Sequence, residues 1–234
     1  MNLELENIVI QRLSAEDIVQ RYITQYKGSI ALASSLSIED QVLTDLVLKI
    51  DPSIKIFTLD TGRLHPETYQ LIDRTNEHFS TKLDVYYPEN SSLEKFVKKN
   101  GINSFYESLE NRKQCCAIRK IEPLKRALKN IDVWIAGLRR EQSLTRSDLK
   151  IIDIDTLNQN YKLLPLLNWS EDQVWDYIKK NNIPFNSLHN QGFASIGCAP
   201  CTRAVTNPDD IRSGRWWWEN PETKECGLHL PKGV

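Results

Sequence analysis

The chain is predicted to fold as an α/β protein, a doubly wound and mostly parallel sheet with helices on both faces. Three observations carry that expectation. Short apolar runs stand at residues 29–35 (SIALASS), 54–60 (IKIFTLD), 82–88 (KLDVYYP) and 132–138 (DVWIAGL). Stretches with helical spacing of apolar residues fill the intervals between them. Several runs end in turn-forming or small polar residues, where the ligands of such sheets bind.

The first run passes through Ser34-Ser35-Leu36-Ser37 into a helix, with Ser37 as N-cap and Asp40 as the third residue of a capping box. Ile38, Val42, Leu43, Leu46, Val47 and Ile50 form its apolar stripe. The second run ends at Asp60-Thr61-Gly62-Arg63, and Pro66 stands at a first helical position. A helix around 91–99 follows the third run, and a long helix over about 111–129 precedes the fourth. The fourth ends at Gly137-Leu138-Arg139-Arg140. Residues 151–168 read as two short strands or an extended arm, and Ser170 opens a helix that stops at Asn181-Asn182, before Pro184. The chain after 183 is turn-rich. With no internal repeat or low-complexity linker, the 234 residues are expected to form one domain. Its nucleotide-binding core would span about 25–150, and a cysteine-bearing segment with a mobile tail about 184–234.

Composition narrows the function. Thirty basic and 31 acidic residues give a net charge of −1, which offers no general surface for nucleic acid or membrane, so an anion site must be built from local clusters. The acidic start, MNLELENIVIQRLS, does not read as a signal peptide, and no apolar run approaches the roughly 20 residues of a membrane span. A cytoplasmic location is the expectation.

Five cysteines fall as Cys115-Cys116, Cys198-x-x-Cys201 and Cys226. Alone, the adjacent pair reads as two buried residues of a helix, since neighbours on a helix point about 100° apart. Cys198-Ala199-Pro200-Cys201 is a metal or redox motif. Together the two pairs supply the four thiolates of an iron–sulfur cluster or a structural zinc, and ligand type does not separate these. A thioredoxin-like redox pair is a further reading of the second motif. Cys226 lies near the C-terminus between Lys224 and His229, cations that would raise its thiolate fraction. Alone it reads as an incidental free thiol on the tail. Basic residues recur beside these motifs: Arg112, Lys113, Arg119 and Lys120, then Arg139, Arg140 and Arg146, then Arg203, Arg212 and Arg215. Ser34-Ser35-x-Ser37 at a helix start would suit a phosphate, although it lacks the Gly-Lys of a Walker loop.

The chain resembles the assimilatory adenylyl-sulfate reductases of the phosphoadenylyl-sulfate reductase family, of the 4Fe–4S type. The resemblance rests on SSLSIEDQVL (34–43), LDTGRLHPET (59–68), KQCCAIRKIEPLKRAL (113–128), GLRREQSLTRS (137–147), SIGCAPCTR (195–203), GRWWWE (214–219) and KECGLH (224–229). Ser37 stands where many relatives carry glycine.

The resemblance implies an adenine-nucleotide alpha-hydrolase-like fold and one 4Fe–4S cluster on Cys115, Cys116, Cys198 and Cys201. It implies that Cys226 is the nucleophile, with Lys120, Arg212, Arg215 and His229 around the sulfate of adenosine 5′-phosphosulfate (APS). Ser35, Ser37, Thr61, Gly62, Arg63 and Arg139 would approach the adenosine phosphate. Thioredoxin or a similar dithiol protein would be the partner, and a homo-oligomer is left open. Three alternatives stand beside this one. The first is reduction of phosphoadenosine phosphosulfate (PAPS), whose cluster-free enzymes lack the paired cysteines. The second is an ATP-pyrophosphatase-type enzyme, whose Ser-Gly-Gly loop is absent here. The third is a zinc-stabilised binding module without catalysis.

Overall fold

In the computed structural model, which describes residues 2–143, 146–205 and 212–220, a six-stranded sheet has the order β3-β2-β1-β4-β6-β5. The strands are β1 (Ile30–Ala33), β2 (Lys55–Leu59), β3 (Asp84–Tyr86), β4 (Val133–Ile135), β5 (Ile152–Asp155) and β6 (Asn160–Leu163). β1 runs parallel to β2 and to β4, β4 runs parallel to β6, and β5 pairs antiparallel with β6 as a hairpin. The expected mostly parallel sheet is therefore present. After β3 the chain crosses to the far side of β1, so β1 and β4 flank the topological switch point where such folds place their ligands.

The helices are α1 (Leu3–Ile10), α2 (Ala15–Gln25), α3 (Ile38–Ile50), α4 (Pro66–His78), α5 (Asn90–Asn100), α6 (Leu109–Cys116), α7 (Glu122–Ala127) and α8 (Glu171–Asn181). Local chemistry explains most boundaries. Ser37 caps α3 by accepting from the Asp40 N–H, and α8 carries a complete capping box between Ser170 and Gln173. Asn182 ends α8 in the left-handed region at φ +53°. The predicted long helix over 111–129 is broken: a turn of π-helix, Ala117–Ile121, separates α6 from α7. The first two helices were not predicted. Both are capped, α1 by Asn2 and α2 by Ser14.

By compactness the chain divides into two units. The first, here the sheet unit, comprises Met1–Thr58, Glu67–Asp84 and Leu128–Ser187. Its core is aliphatic, with Leu32, Val42, Leu43, Val47, Val133 and Ile135 fully or almost fully buried. The second, here the cysteine unit, comprises Leu59–Pro66, Val85–Ala127 and Leu188–Val234. It is built around Phe96, Phe105 and Cys115, with Val97, Ile118, Cys201 and Trp218 packed against them.

Candidate functional site

The predicted site residues fall into two groups, one in each unit, and Cys226 and His229 lie outside the described residues.

In the cysteine unit, Cys115, Cys116, Cys198 and Cys201 line one small cavity. The adjacent cysteines close α6, about 100° apart around its axis, and both line the cavity at the helix end, where the π-turn Ala117–Ile121 follows. Cys198 precedes and Cys201 ends a short 3₁₀ turn, Ala199–Cys201, with Pro200 at its centre. Its Ala199 N–H donates to the Arg63 carbonyl at 2.8 Å, and the Tyr106 hydroxyl donates to the Pro200 carbonyl. Four cations share the cavity wall: Arg63, Arg112, Arg119 and Lys120. No carboxylate among the described residues lines it. All four thiols are unbridged. No three Cys, His, Asp or Glu side chains among the described residues gather closely enough to hold a single metal ion.

The thiols differ in character. Burial pushes the Cys201 thiol up to about 12, with the Cys198 sulfur adding to the shift. Burial also raises Cys115, partly offset by Arg119. Burial opposes ionisation of Cys198 too, but Lys120, the Thr61 hydroxyl, Arg215 and Arg119 outweigh it, and this thiol lies below its ordinary value. Thr61 Oγ1 stands 3.2 Å from Cys198 Sγ. The Thr61 carbonyl accepts from Arg119, and Gly62, at φ +69°, turns the chain between Thr61 and Arg63. Arg63 donates to the Ile102 carbonyl and Asn103 Oδ1 and lies over the Phe105 ring.

Trp216, 1% exposed and at φ +40°, organises the arginines that follow the second cysteine pair. The guanidinium carbons of Arg112 and Arg215 lie 4.8 and 4.7 Å from its ring centroid, and Arg212 lies 5.9 Å away. Arg112 is also bound by Glu219 through two 2.9 Å contacts. Arg215 donates to Ser195 Oγ and the Ile196 carbonyl. A Cβ on Gly197 would meet the Arg215 guanidinium at 2.5 Å, so a side chain there would displace the guanidinium. Three buried nitrogens, Arg119 Nε, Arg215 Nε and Trp216 Nε1, have no acceptor among the described residues.

In the sheet unit, the turn after β1 differs from the expected capping box. Ser37 accepts from the Asp40 N–H as predicted, but the Asp40 carboxylate does not return to Ser37. Oδ2 accepts from both the Ser35 N–H and the Ser35 hydroxyl at 2.7 Å, and Oδ1 accepts from the Gly137 N–H at 2.9 Å. Ser35 is exposed, yet both of its donors are committed to Asp40. Burial lifts the Asp40 carboxyl to about 6 against the opposing hydrogen bonds from Ser35 and Gly137, with Glu39 adding to the rise. Arg139 is not turned to an open site. Its buried guanidinium donates to Glu39 at 2.7 Å, Glu141 at 3.3 Å and Glu171 at 3.4 Å.

Trp216 and Gly197 were not singled out from sequence, and Arg119, Asp40 and Gly137 were named there as a basic cluster, a capping residue and a strand end rather than for the contacts they make. Trp216 and Gly197 sit inside the motifs that were, so proximity to Cys198 and Arg215 was the available signal.

The phosphoadenosine phosphosulfate reductase domain matches residues 29–204. The adenosine 5′-phosphosulfate reductase of Allochromatium vinosum is 51% identical over 201 residues, 86% of this chain and 78% of that protein. The enzyme of the same name from Burkholderia cepacia is 45% identical over 92% of this chain and 86% of its own length. Among solved structures, phosphoadenylyl-sulfate (PAPS) reductase from Candida auris in a phosphate complex is similar, with a TM-score of 0.73 and 27% identity over 87% of this chain and 96% of that one. Candida glabrata FMN adenylyltransferase, 19% identical with a TM-score of 0.56 over 86% of this chain and 67% of that one, shares the fold. No helix among the described residues is long and apolar enough to cross a membrane. The chain thus belongs to the phosphoadenosine phosphosulfate reductase domain family.

Proposed function

We propose that this protein is a cytoplasmic enzyme that reduces APS to sulfite and AMP, with Cys226 as nucleophile and thioredoxin or a similar dithiol protein as reductant. The observation that carries the reading is the convergence of four unbridged cysteines and four cations on one cavity, in a chain 51% identical to an enzyme named for APS reduction.

Cys115, Cys116, Cys198 and Cys201 would hold a 4Fe–4S cluster. Their donor set fits: four sulfurs line a space rather than converge on one point. A single tetrahedral zinc, with bonds of about 2.3 Å, would draw its four sulfurs to within roughly 4 Å of one another. The partnerless Arg119 Nε and Trp216 Nε1 are available to cluster sulfur. Such a cluster would supply fixed negative charge that anchors the surrounding cations.

The chemistry assigned to the chain's own residues follows from charge. A thiolate attacking a sulfuryl group meets an anion, so Lys120, Arg212, Arg215 and His229 would neutralise the sulfate oxygens. The Cys226 Sγ–S bond forms, the S–O bond to the phosphate breaks, and AMP departs with its electron pair. Cys226 is then an S-sulfocysteine. One thiolate of the reductant attacks Cys226 Sγ and sulfite leaves with the S–S electron pair. The reductant's second thiol resolves the mixed disulfide, restoring Cys226 and leaving the reductant as its disulfide. The first N–H groups of α3, with Ser37, would take the adenosine phosphate. Arg139, held by Glu39, would brace this region from behind, and Ser35 would do so through Asp40.

The likeness to the Candida auris enzyme favours PAPS as a second substrate reading. Sulfite release from each nucleotide with a dithiol reductant separates the two. A larger kcat/KM for APS is expected, and a larger value for PAPS would replace the assignment.

A further inference from the structure

The turn between β1 and α3 is shaped by Asp40. Leu36 is buried at φ +62°, a backbone conformation that a residue with a side chain adopts only where its surroundings impose it. Three contacts impose it here. The Ser34 N–H donates to the Phe57 carbonyl, the Leu36 N–H donates to Ser34 Oγ, and both Ser35 donors bind Asp40. Asp40 in turn is fixed to the end of β4. A Cβ on Gly137 would lie 2.5 Å from Asp40 Oδ1 and 2.9 Å from the Asp40 nitrogen, so the two backbones meet as closely as glycine allows. One buried carboxylate thereby ties the ends of the two strands that flank the switch point. With Ser35 and Leu36 so engaged, the N–H groups of Ser37, Ile38 and Glu39 open α3.

We propose that Asp40 is a positioning residue, which clamps Ser35 to Gly137 and so holds the turn in the shape that presents the first N–H groups of α3 to the substrate's 5′-phosphate. This rests on the reading of that turn as the phosphate site. Electrostatics alone would argue against a carboxylate beside a bound anion, and Glu39, the nearest other acid, already occupies Arg139. The position therefore makes sense through geometry, and a substitution that removes the charge separates the two effects. If the field of Asp40 dominated, Asp40→Asn would tighten phosphate binding. If its clamp dominates, the same change weakens it, because an amide cannot accept from Ser35 and Gly137 together.

The test uses the full-length, iron-loaded enzyme with AMP and adenosine as competitive inhibitors of APS turnover. For Asp40→Asn the AMP inhibition constant should rise about tenfold or more, while that of adenosine stays within about twofold. A generally loosened fold would raise both. Ser35→Ala, which removes the hydroxyl but keeps the N–H contact, should raise the AMP constant about threefold, and adding it to Asp40→Asn should bring no further loss. An AMP constant that is unchanged or lower in Asp40→Asn overturns the clamp and leaves the phosphate assignment standing. Wild-type enzyme that binds adenosine as well as AMP overturns the phosphate assignment and the clamp with it. Should Asp40→Asn fail to fold, Ser35→Ala decides, and an unchanged AMP constant there overturns the proposal.

Discussion

The two units treat buried charge in opposite ways. In the sheet unit the charges around the β1 turn are answered from within the protein: Asp40 by two backbone N–H groups and a hydroxyl, Glu39 by Arg139 and Gln142. In the cysteine unit, cations surround a cavity with no carboxylate on its wall among the described residues, and two of the buried arginines, with Trp216, keep nitrogens that have no acceptor there. On the same wall Arg112 is paired with Glu219, and Arg63 with the Ile102 carbonyl and Asn103. Buried donors without acceptors are costly, so a region that keeps several is one whose complement is a ligand. The charges at the β1 turn are answered by folding, whereas the cavity keeps buried donors for a ligand to answer.

The contrast can be broken at the thiols. On the proposed cluster, Cys198→Ser or Cys201→Ser would remove one of four ligands, and iron content and sulfite production should fall together to background. Because metal binding is coupled to folding, soluble yield should fall as well. Iron analysis of anaerobically purified variants checks this, and full iron in either would detach the cavity from the cluster.

A smaller effect is expected at Lys120. It lines the cavity and contributes to lowering the Cys198 thiol, yet it is not one of the four thiolates. Lys120→Ala should keep its iron and lose about 10²–10³ in kcat, the usual consequence of removing one preorganised positive donor. A variant that loses iron instead would make Lys120 part of the cluster's support rather than of the sulfate site.

The smallest effect belongs to the sheet unit and to pH. The Asp40 carboxyl is raised to about 6, so a proton enters it as the pH falls through that value. The neutral acid has one fewer acceptor oxygen for its three donors, and the clamp weakens on the acid side. Between pH 7 and about 5 the KM for APS should climb toward that of Asp40→Asn, whose own KM should stay flat. Parallel profiles would assign the acid limb to another group.

Legibility in the sequence followed the same divide between local and distant chemistry. The caps of α3 and α8, Pro66 at the start of α4 and the switch-point strands are local signals, and all were readable. The two N-terminal helices were missed for different reasons. α2 carried a usable signal, Ser14 followed by the buried stripe Ile18, Val19, Tyr22 and Ile23. α1 exposes Leu5, Ile8 and Val9, so its apolar residues mark no inward face. The π-turn after Cys116 has no signature in residue type, and sequence alone did not show that α6 ends at the cysteine pair. The Glu39–Arg139 pair spans 100 residues, and Arg139 alone reads as a phosphate ligand, because sequence shows a charge and not its partner.

The central claim concerns Cys226 and is tested most directly without turnover. Enzyme incubated with APS and no reductant, then digested and weighed, should carry one added sulfite group on the C-terminal peptide at Cys226, with one AMP released per chain. Added thioredoxin should remove it as free sulfite. Cys226→Ser should keep iron and AMP binding while forming no adduct, since an ordinary hydroxyl is a weak nucleophile. An unmodified Cys226 alongside released AMP, or sulfite still formed by Cys226→Ser with thioredoxin present, would contradict the account.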